Sequence, residues 1–460
     1  LINFRGGLRR MSRLATIILA AGKGTRMKSE LPKVLHEVCG KSMVEHIISA
    51  ASVLEPLKNI AVIGYKGELV EQKLEDLNVN FAYQDQQLGT GHAVMQAEEL
   101  LNEFVGSVLV LCGDTPLLTI NTLQELVDKQ QNTEAAVSIL TTEVNDPAGY
   151  GRIVRGERGN VAKIVEDKDA TLEEKQITEV NTGTYCFDSQ LLFAALDEID
   201  ADNAQGEYYL TDVIEVLKNQ GEQVTAVVTD DQAETLGVNT RVHLAKAEKV
   251  LRKRISNYHL ESGVTIMDPE NTYIDEGVEI GKDTVIYPFT IIEGDTKIGA
   301  RSIIGPQSRI VDSEIGSQVE VQNSVILEAK VGDKTKVGPF AYLRPGTELG
   351  QEVKVGDFVE IKKTKIGNQS KVPHLSYIGD AIIGEQVNIG AGTITANYDG
   401  KEKHQTKIQD GAFIGSDSTL VAPIKIGQGA ITGAGSVVTK DVDDEELVLG
   451  VPAKVNKKDD

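Results

Sequence analysis

The stretch Leu19 to Leu35 reads LAAGKGTRMKSELPKVL. Gly22 and Gly24 carry no Cβ, so the backbone can turn sharply there and bring N–H groups against phosphate, while Arg26 and Lys33 can neutralise phosphoryl charge. The pattern is not a GxxxxGK[ST] loop, and Met27 stands where a dinucleotide-binding fingerprint would have its third Gly. A second small-residue turn, Leu88-Gly89-Thr90-Gly91-His92-Ala93, follows Gln84 and suits close approach to a flat base or ribose. Further on, Val108 to Leu111 runs into Cys112-Gly113-Asp114-Thr115-Pro116. A carboxylate at the tip of a buried strand, facing a phosphate loop, is a natural seat for hydrated Mg²⁺ that also holds substrate phosphates. A plain turn role for Asp114 is the weaker reading in the company of the two small-residue turns.

These groups need elements to position them. From Ala15 to about Val228, short β-rich runs (Thr16–Leu19, Ile60–Ile63, Val108–Leu111, Val137–Leu140, Val224–Val228) alternate with helical patterns such as Ser42–Val53 and Leu118–Lys129. This alternation predicts an α/β, Rossmann-like domain with a mostly parallel sheet and ligands at the carboxyl ends of its strands. Arg241 to Leu260 reads as one helix, with Leu244, Ala247, Leu251 and Ile255 on its apolar stripe. Its cations fit a solvated linker better than a recognition helix. Beyond it, Ile274, Ile280, Ile286, Ile292, Ile298, Ile304 and Ile310 recur every sixth residue. The beat resumes at Val331, Val337, Leu343, Leu349, Val355 and Ile361, and again at Ile408, Ile414, Leu420 and Ile426. A period of six fits a hexapeptide β-helix, each coil stacking one aliphatic side chain per face on the coil below. The expected division is a leader over 1–10 outside the fold, a first domain over 11–240, a linker helix over 241–261 and the β-helix over 262–460.

Breaks in a regular solenoid are where chemistry is expected. Two are visible: 367–376, containing Lys371-Val372-Pro373-His374-Leu375-Ser376-Tyr377, and the polar excursion 397–407. Arg344 and Lys362 stand three hexads, one coil, apart, so the two cations should lie one above the other and could hold a single phosphate. A lone His in a loop is usually just solvated; the company of Arg344, Lys362 and Tyr377 favours a working role for His374.

Composition excludes some classes. The formal net charge is −22 and there is no Trp, which argues against non-specific nucleic-acid binding. No apolar run approaches the roughly 20 residues of a membrane span. Cys39, Cys112 and Cys186 are odd in number, widely spaced and set in apolar segments, as buried free thiols in a reducing cytoplasm are. Leu1 to Arg10 is basic without an apolar core, so it is no secretory signal.

The LAAGKGTRM, LGTGHA and CGDTPL segments, with Gly149-Tyr150-Gly151-Arg152, Ile164-Val165-Glu166-Asp167-Lys168, Asn181-Thr182-Gly183, Gly206-Glu207-Tyr208-Tyr209-Leu210-Thr211-Asp212 and Gly237-Val238-Asn239, resemble a sugar-nucleotide pyrophosphorylase. With the hexads, the likeness extends from about Met11 to Leu449 and is to the bacterial bifunctional N-acetylglucosamine-1-phosphate uridyltransferase/glucosamine-1-phosphate acetyltransferase family. The resemblance implies a cytoplasmic homotrimer with a left-handed β-helix, Mg²⁺, and UTP and acetyl-CoA as co-substrates. Leu19, Ala20, Ala21 and Gly22 with Gln84, Gly89 and Thr90 would hold uridine and ribose; Arg26 and Lys33 would stabilise the triphosphate. Gly151, Glu166 and Asn181 would grip the sugar, and Asp114 with Asn239 would bind Mg²⁺. Glu166 also fits a surface ion-pair cluster, and His36 and His92 fit packing or capping.

For the second site the family implies His374 as the base that deprotonates the glucosamine amine, Arg344 and Lys362 on the sugar phosphate, and Tyr377, Asn388, Asn397 and Tyr398 completing the pocket. The Ala391 amide would stabilise the oxyanion, Ser416 and Ala434 would line the acetyl-CoA channel, Asn397 and Tyr398 would also face acetyl-CoA, and Glu360 would orient His374. Where the family carries an Arg for coenzyme A phosphate, this chain has Leu449-Gly450-Val451-Pro452-Ala453-Lys454, with Lys454 as a substitute point charge. Two other readings stay open at this stage. One is a pyrophosphorylase with a β-helix for oligomerisation or regulation only; the other is a non-catalytic assembly subunit of the same architecture.

Overall fold

The computed structural model describes residues 13–156 and 159–455. The leader over 1–10 lies outside them. The chain forms two compact units, one up to Leu251 and one from Arg252, and the dividing point falls inside a helix, Arg241–Glu261.

The first unit is built on one sheet whose main strands run in the order Val224–Thr229, Val137–Glu143, Glu179–Asp188, Ser107–Cys112, Leu14–Leu19, Lys58–Ile63 and Asn80–Tyr83. Leu14–Leu19 lies parallel to both neighbours. Its Ile17 and Ile18 are fully buried on opposite faces, as the side-chain alternation of a strand covered on both sides requires. Glu179–Asp188 runs antiparallel to the strands on both sides of it. It carries Asn181 near its start. The helix Met43–Ser52 opens on a capping box, Ser42 with Glu45, which fixes its first turn against the sheet.

The second unit is the left-handed parallel β-helix of the hexapeptide class. Its three faces begin at Thr265–Ile266, Tyr273–Ile274 and Glu279–Ile280. Ile286, Ile292, Ile304, Ile310, Leu343, Val355 and Ile361 are fully buried along its axis. Each such rung contributes about 1.5–3 kcal/mol of burial. The residue directly behind a rung lies so close to the next coil that a Cβ at Gly356 would stand 1.8 Å from the Pro373 carbonyl oxygen.

Two expected features of the rhythm are corrected. The solenoid does not pause between Ile310 and Val331. Ile310 pairs with Ile326, and Ile315 with Val331, so the coils there hold sixteen residues and the buried rungs Ile310, Ile315, Val321 and Ile326 step by five, six and five. Nor is 367–376 an interruption: Lys371–His374 is an ordinary strand, paired with Lys354–Asp357 below, and Val372 is fully buried. The excursion at 397–407 is real. It forms a small hairpin closed at Tyr398 and Lys403, and the coil containing it takes 25 residues between Ile383 and Ile408.

Candidate functional sites

In the first unit a cleft of about 270 Å³ opens at the carboxyl ends of the parallel strands. Leu19, Ala21, Gly22, Lys33, Gln84, Gly89, Thr90 and Asp114 line it. Ala20 does not: its methyl is buried in the core and its N–H bonds the Val62 carbonyl at 2.8 Å. Arg26 approaches from the exposed loop and donates to Asn239 Oδ1 at 2.8 Å. Lys33 Nζ donates to the same oxygen at 3.2 Å and makes a tight ion pair with Asp114 Oδ2. The Val238 N–H donates to the Asp114 carbonyl at 2.8 Å, which locks the distant Gly237–Asn239 segment beside the strand tip. Two cations and two hard oxygen donors therefore converge from three separate stretches of chain.

The LGTGHA turn is held by the GEYYLTD segment. Tyr208 N–H bonds the Leu88 carbonyl and Gly91 N–H bonds the Tyr208 carbonyl, both at 2.8 Å. Gly89 has φ +115°, and a Cβ there would lie 2.4 Å from the Tyr208 carbonyl oxygen, so both backbone conformation and clearance demand Gly. The Thr90 hydroxyl accepts from Leu210 N–H. Gln84 donates to the Gly89 carbonyl and contacts His92 Nδ1, both at 3.0 Å, so His92 supports the wall. His36 is buried against Arg241, and burial lowers its pKa first, the Arg241 charge second.

Gly151, Glu166 and Asn181 meet beyond the cleft: the positions flanking Gly151 are taken by the Asn181 side chain and Glu166 Oε1, and Asn181 N–H bonds the Gly151 carbonyl at 2.8 Å. The fully buried Arg152 pairs with Asp167 at 2.9 Å, and Lys168 donates to Gln205, so the acidic run is divided. Glu166 takes the inward place, accepting from the Thr211 hydroxyl at 3.1 Å. Burial raises its pKa, opposed by that hydrogen bond. Gln87, Cys112 and Glu207 line the cleft without having been singled out as site residues. Cys112 adjoins Asp114 in sequence, the one signal available; burial pushes its thiol up to about 12. Among the described residues no cysteine forms a disulfide; Cys39 and Cys186 are buried and Cys112 half-buried.

In the β-helix the candidate residues fall on two corners. At the corner between the second and third faces, Leu343 pairs with Ile361, which places Arg344 and Lys362 on successive coils. Arg344 pairs with Glu360 at 2.7 Å. Lys362 is buried, 3.7 Å from Asp380, and Asn397 Nδ2 donates to the same carboxylate. The hairpin brings Lys403 against Lys362, whose hydrogen bond and like charge depress the Lys403 pKa. Lys403 was not anticipated. No periodic pattern predicts where a hairpin turns back. Tyr398 is exposed on that hairpin, and Tyr377 lies beside Asn397 across Gly379.

At the corner between the first and second faces, register aligns His374, Ala391, Ser416 and Ala434 on successive coils. Gly392 N–H bonds the His374 carbonyl, Asp417 N–H that of Ala391, and Gly435 N–H that of Ser416. Ala391 N–H has no acceptor among the described residues. Asn388 shares the first face, between Lys371 and Phe413. His374 Nδ1 contacts Asp357, not Glu360. The expected Glu360 role is thereby corrected. An eighteen-residue coil would align Gly356 with His374; this coil has seventeen, and Asp357 takes the place. Lys454 lies on the closing strand Ala453–Val455, opposite Leu449.

A nucleotide-binding α/β cleft joined to a hexapeptide β-helix defines a two-part transferase. The Nucleotidyl transferase family matches residues 15–239, and the Bacterial transferase hexapeptide family (six repeats) matches 277–312 and 405–440. The protein named "Bifunctional protein GlmU" from Heliobacterium modesticaldum is 55% identical over 94% of both chains. Those of the same name from Carboxydothermus hydrogenoformans and Halalkalibacterium halodurans are 54% and 51% identical, over 96% and 97% of this chain and 99% and 98% of theirs. The chain belongs to the bifunctional GlmU family. It is a bifunctional enzyme, so the single-activity and scaffold readings fall away.

Proposed function

We propose that the β-helix acetylates glucosamine 1-phosphate from acetyl-CoA and that the α/β unit then couples the product to UMP from UTP, giving UDP-N-acetylglucosamine and pyrophosphate for cell-wall synthesis. The carrying observation is the convergence of Arg26, Lys33, Asp114 and Asn239, the first and last 213 residues apart, in one cleft.

In uridylyl transfer a phosphate oxygen of the sugar phosphate attacks the α-phosphorus of UTP, and the bond to pyrophosphate breaks. Positioning and charge neutralisation supply most of the rate, so no covalent nucleophile is required. Gln84, Gly89 and Thr90 seat the base and ribose. Arg26 and Lys33 exchange their present oxygen partners for phosphate. The donor set fits Mg²⁺: one carboxylate, Asp114, and one carboxamide oxygen, Asn239, leave the remaining positions to water and phosphate, as that ion prefers. When bound, Mg²⁺ would neutralise phosphate charge. Glu166 and Asn181 orient the sugar.

In acetyl transfer His374 takes a proton from the glucosamine ammonium, the freed amine attacks the thioester carbonyl, and the C–S bond breaks as the adduct's remaining ammonium proton passes to the departing thiolate, giving amide and coenzyme A thiol. The Ala391 N–H faces the oxyanion. Arg344, Lys362 and Lys403 form a phosphate seat: Glu360 and Asp380 balance two of the three cations and leave one net positive charge at that corner. That seat and His374 stand on different corners, a face apart along a single chain. One small amino-sugar phosphate cannot bridge that width, which supports assembly of the site between chains, in a homotrimer. Among the described residues no helix is long and apolar enough to cross a membrane; we place the reaction in the cytoplasm.

The test supplies the full chain with glucosamine 1-phosphate, acetyl-CoA, UTP and Mg²⁺ and follows thiol and pyrophosphate release. Both are expected, pyrophosphate lagging behind thiol. Absence of thiol release overturns the acetyl half. A second expectation concerns Glu166, which must be ionised to accept sugar hydroxyls. Its raised pKa means that it protonates, as pH falls, earlier than an ordinary glutamate does. The KM for N-acetylglucosamine 1-phosphate therefore climbs on mild acidification. In Glu166→Gln that KM is about tenfold higher throughout, roughly 1.4 kcal/mol of lost binding, and only the phosphate's own titration remains in its pH dependence.

A further inference from the structure

We propose that Asp357 is a positioning residue of the acetyl-transfer site, holding His374 in the tautomer that leaves Nε2 free to act as base. The inference rests on the reading of His374 given above and adds what makes that histidine competent.

A neutral imidazole has one N–H and one lone pair, and whichever nitrogen donates to a fixed acceptor leaves the other as the base. The acceptor here is built into the fold. Lys354–Asp357 and Lys371–His374 are parallel strands on successive coils, with Asp357 directly opposite His374. Leu375 N–H donates to the Asp357 carbonyl at 3.0 Å, pinning the two backbones just where the side chains leave them. The Asp357 carboxylate and His374 Nδ1 are in short contact. The hydrogen bond from His374 is the largest influence holding Asp357 below the usual carboxylate range, with a smaller contribution from the Lys354 charge on the same strand. Asp357 is therefore an anion wherever His374 is a usable base. Among the described residues His374 Nε2 has no hydrogen-bond partner, so the lone pair is available to an incoming ammonium.

The other carboxylate–histidine pair of the β-helix shows what a purely architectural contact looks like. Asp399 meets His404 Nε2 at 2.7 Å, but its carboxylate also accepts from Lys401 and Glu402 N–H. That pair closes the hairpin. Asp357 closes no turn: apart from its own backbone N–H, its carboxylate bonds His374. During acetyl transfer the amine proton passes to Nε2, the Nδ1 proton stays on the ring, and Asp357 balances the imidazolium charge without itself taking a proton.

The test compares full-length Asp357→Ala, Asp357→Asn and His374→Ala by thiol release from acetyl-CoA with glucosamine 1-phosphate. Pyrophosphate release and oligomer mass serve as checks on the remainder of the molecule. Asp357→Ala is expected to lower kcat tenfold to a hundredfold, about the range for loss of an orienting partner, with KM for both substrates within about twofold. Asp357→Asn keeps an oxygen that can accept from Nδ1–H, so kcat returns to within about threefold of the parent. An Asp357→Ala enzyme with parental kcat, or an Asp357→Asn enzyme as slow as Asp357→Ala, alongside an inactive His374→Ala, overturns the role of Asp357. A His374→Ala enzyme that still transfers acetyl groups overturns the underlying assignment of the base instead.

Discussion

Asp114→Ala is expected to cut pyrophosphate release from UTP and N-acetylglucosamine 1-phosphate by about a hundredfold, leaving thiol release unchanged. Two effects act in opposite directions. The substitution frees Lys33 from its ion pair, which by itself makes that ammonium more available to phosphate. It also removes the only carboxylate among the four converging groups, leaving Asn239 as the sole oxygen donor for Mg²⁺. The second effect wins. The gain is bounded by one partly exposed ion pair, about 1 kcal/mol. Loss of charge stabilisation in a water-poor cleft costs about 3–4 kcal/mol in the transition state. Asp114→Asn separates the charge from the shape: it preserves hydrogen bonding to Lys33 but not the anion, and should fall nearly as far. Raising Mg²⁺ should recover part of the Asn variant's rate and little of the Ala variant's. Activity within a few fold of the parent in both variants would refute the metal assignment.

The same cleft shows what a linear sequence can reveal. Leu19, Gly22, Asp114 and the LGTGHA turn sit at strand ends, and strand ends are legible because apolar runs stop there. The placement of Asn181 was not legible in this way. It belongs to Glu179–Asp188, a strand inserted antiparallel between parallel neighbours, and its stretch carries no alternation that would distinguish it from a loop. Gly89 illustrates a different limit. The need for Gly is set by Tyr208, 119 positions later, and only the folded chain puts the two together.

In the β-helix the period identified the core, because every coil must bury one aliphatic side chain per face. It did not fix the coil length. Rungs five residues apart at Ile310–Ile315 and Ile361–Ile366 are as well buried as those six apart, since a corner can lose one residue without disturbing the inward-facing position. That slack has chemical consequences. Arg344 and Lys362 are eighteen residues apart and align as expected, whereas Asp357 and His374 are seventeen apart and a strict period misassigns the histidine's partner. Position along the axis is robust to such slips; identity of the neighbour one coil away is not.

His374→Ala should abolish thiol release at neutral pH, with kcat down by about 10³ and pyrophosphate release from supplied N-acetylglucosamine 1-phosphate intact. Glucosamine 1-phosphate carries an ammonium near pH 7, and an ammonium has no lone pair with which to attack a thioester. Removal of a positioned base costs about 10²–10⁴ in rate, while the phosphate seat of Arg344, Lys362 and Lys403 is untouched on the neighbouring corner. KM for the sugar phosphate should therefore move little and kcat carry the loss. The residual rate has its own signature. With no base present, only amine already deprotonated by solvent can react, so the variant's activity should rise about tenfold per pH unit until the amine is free. The parent enzyme should be flat over that interval. A variant with parental kcat at pH 7 would remove His374 from the reaction. A fall at pH 7 without the rising pH dependence would instead assign His374 to shaping the pocket rather than moving the proton.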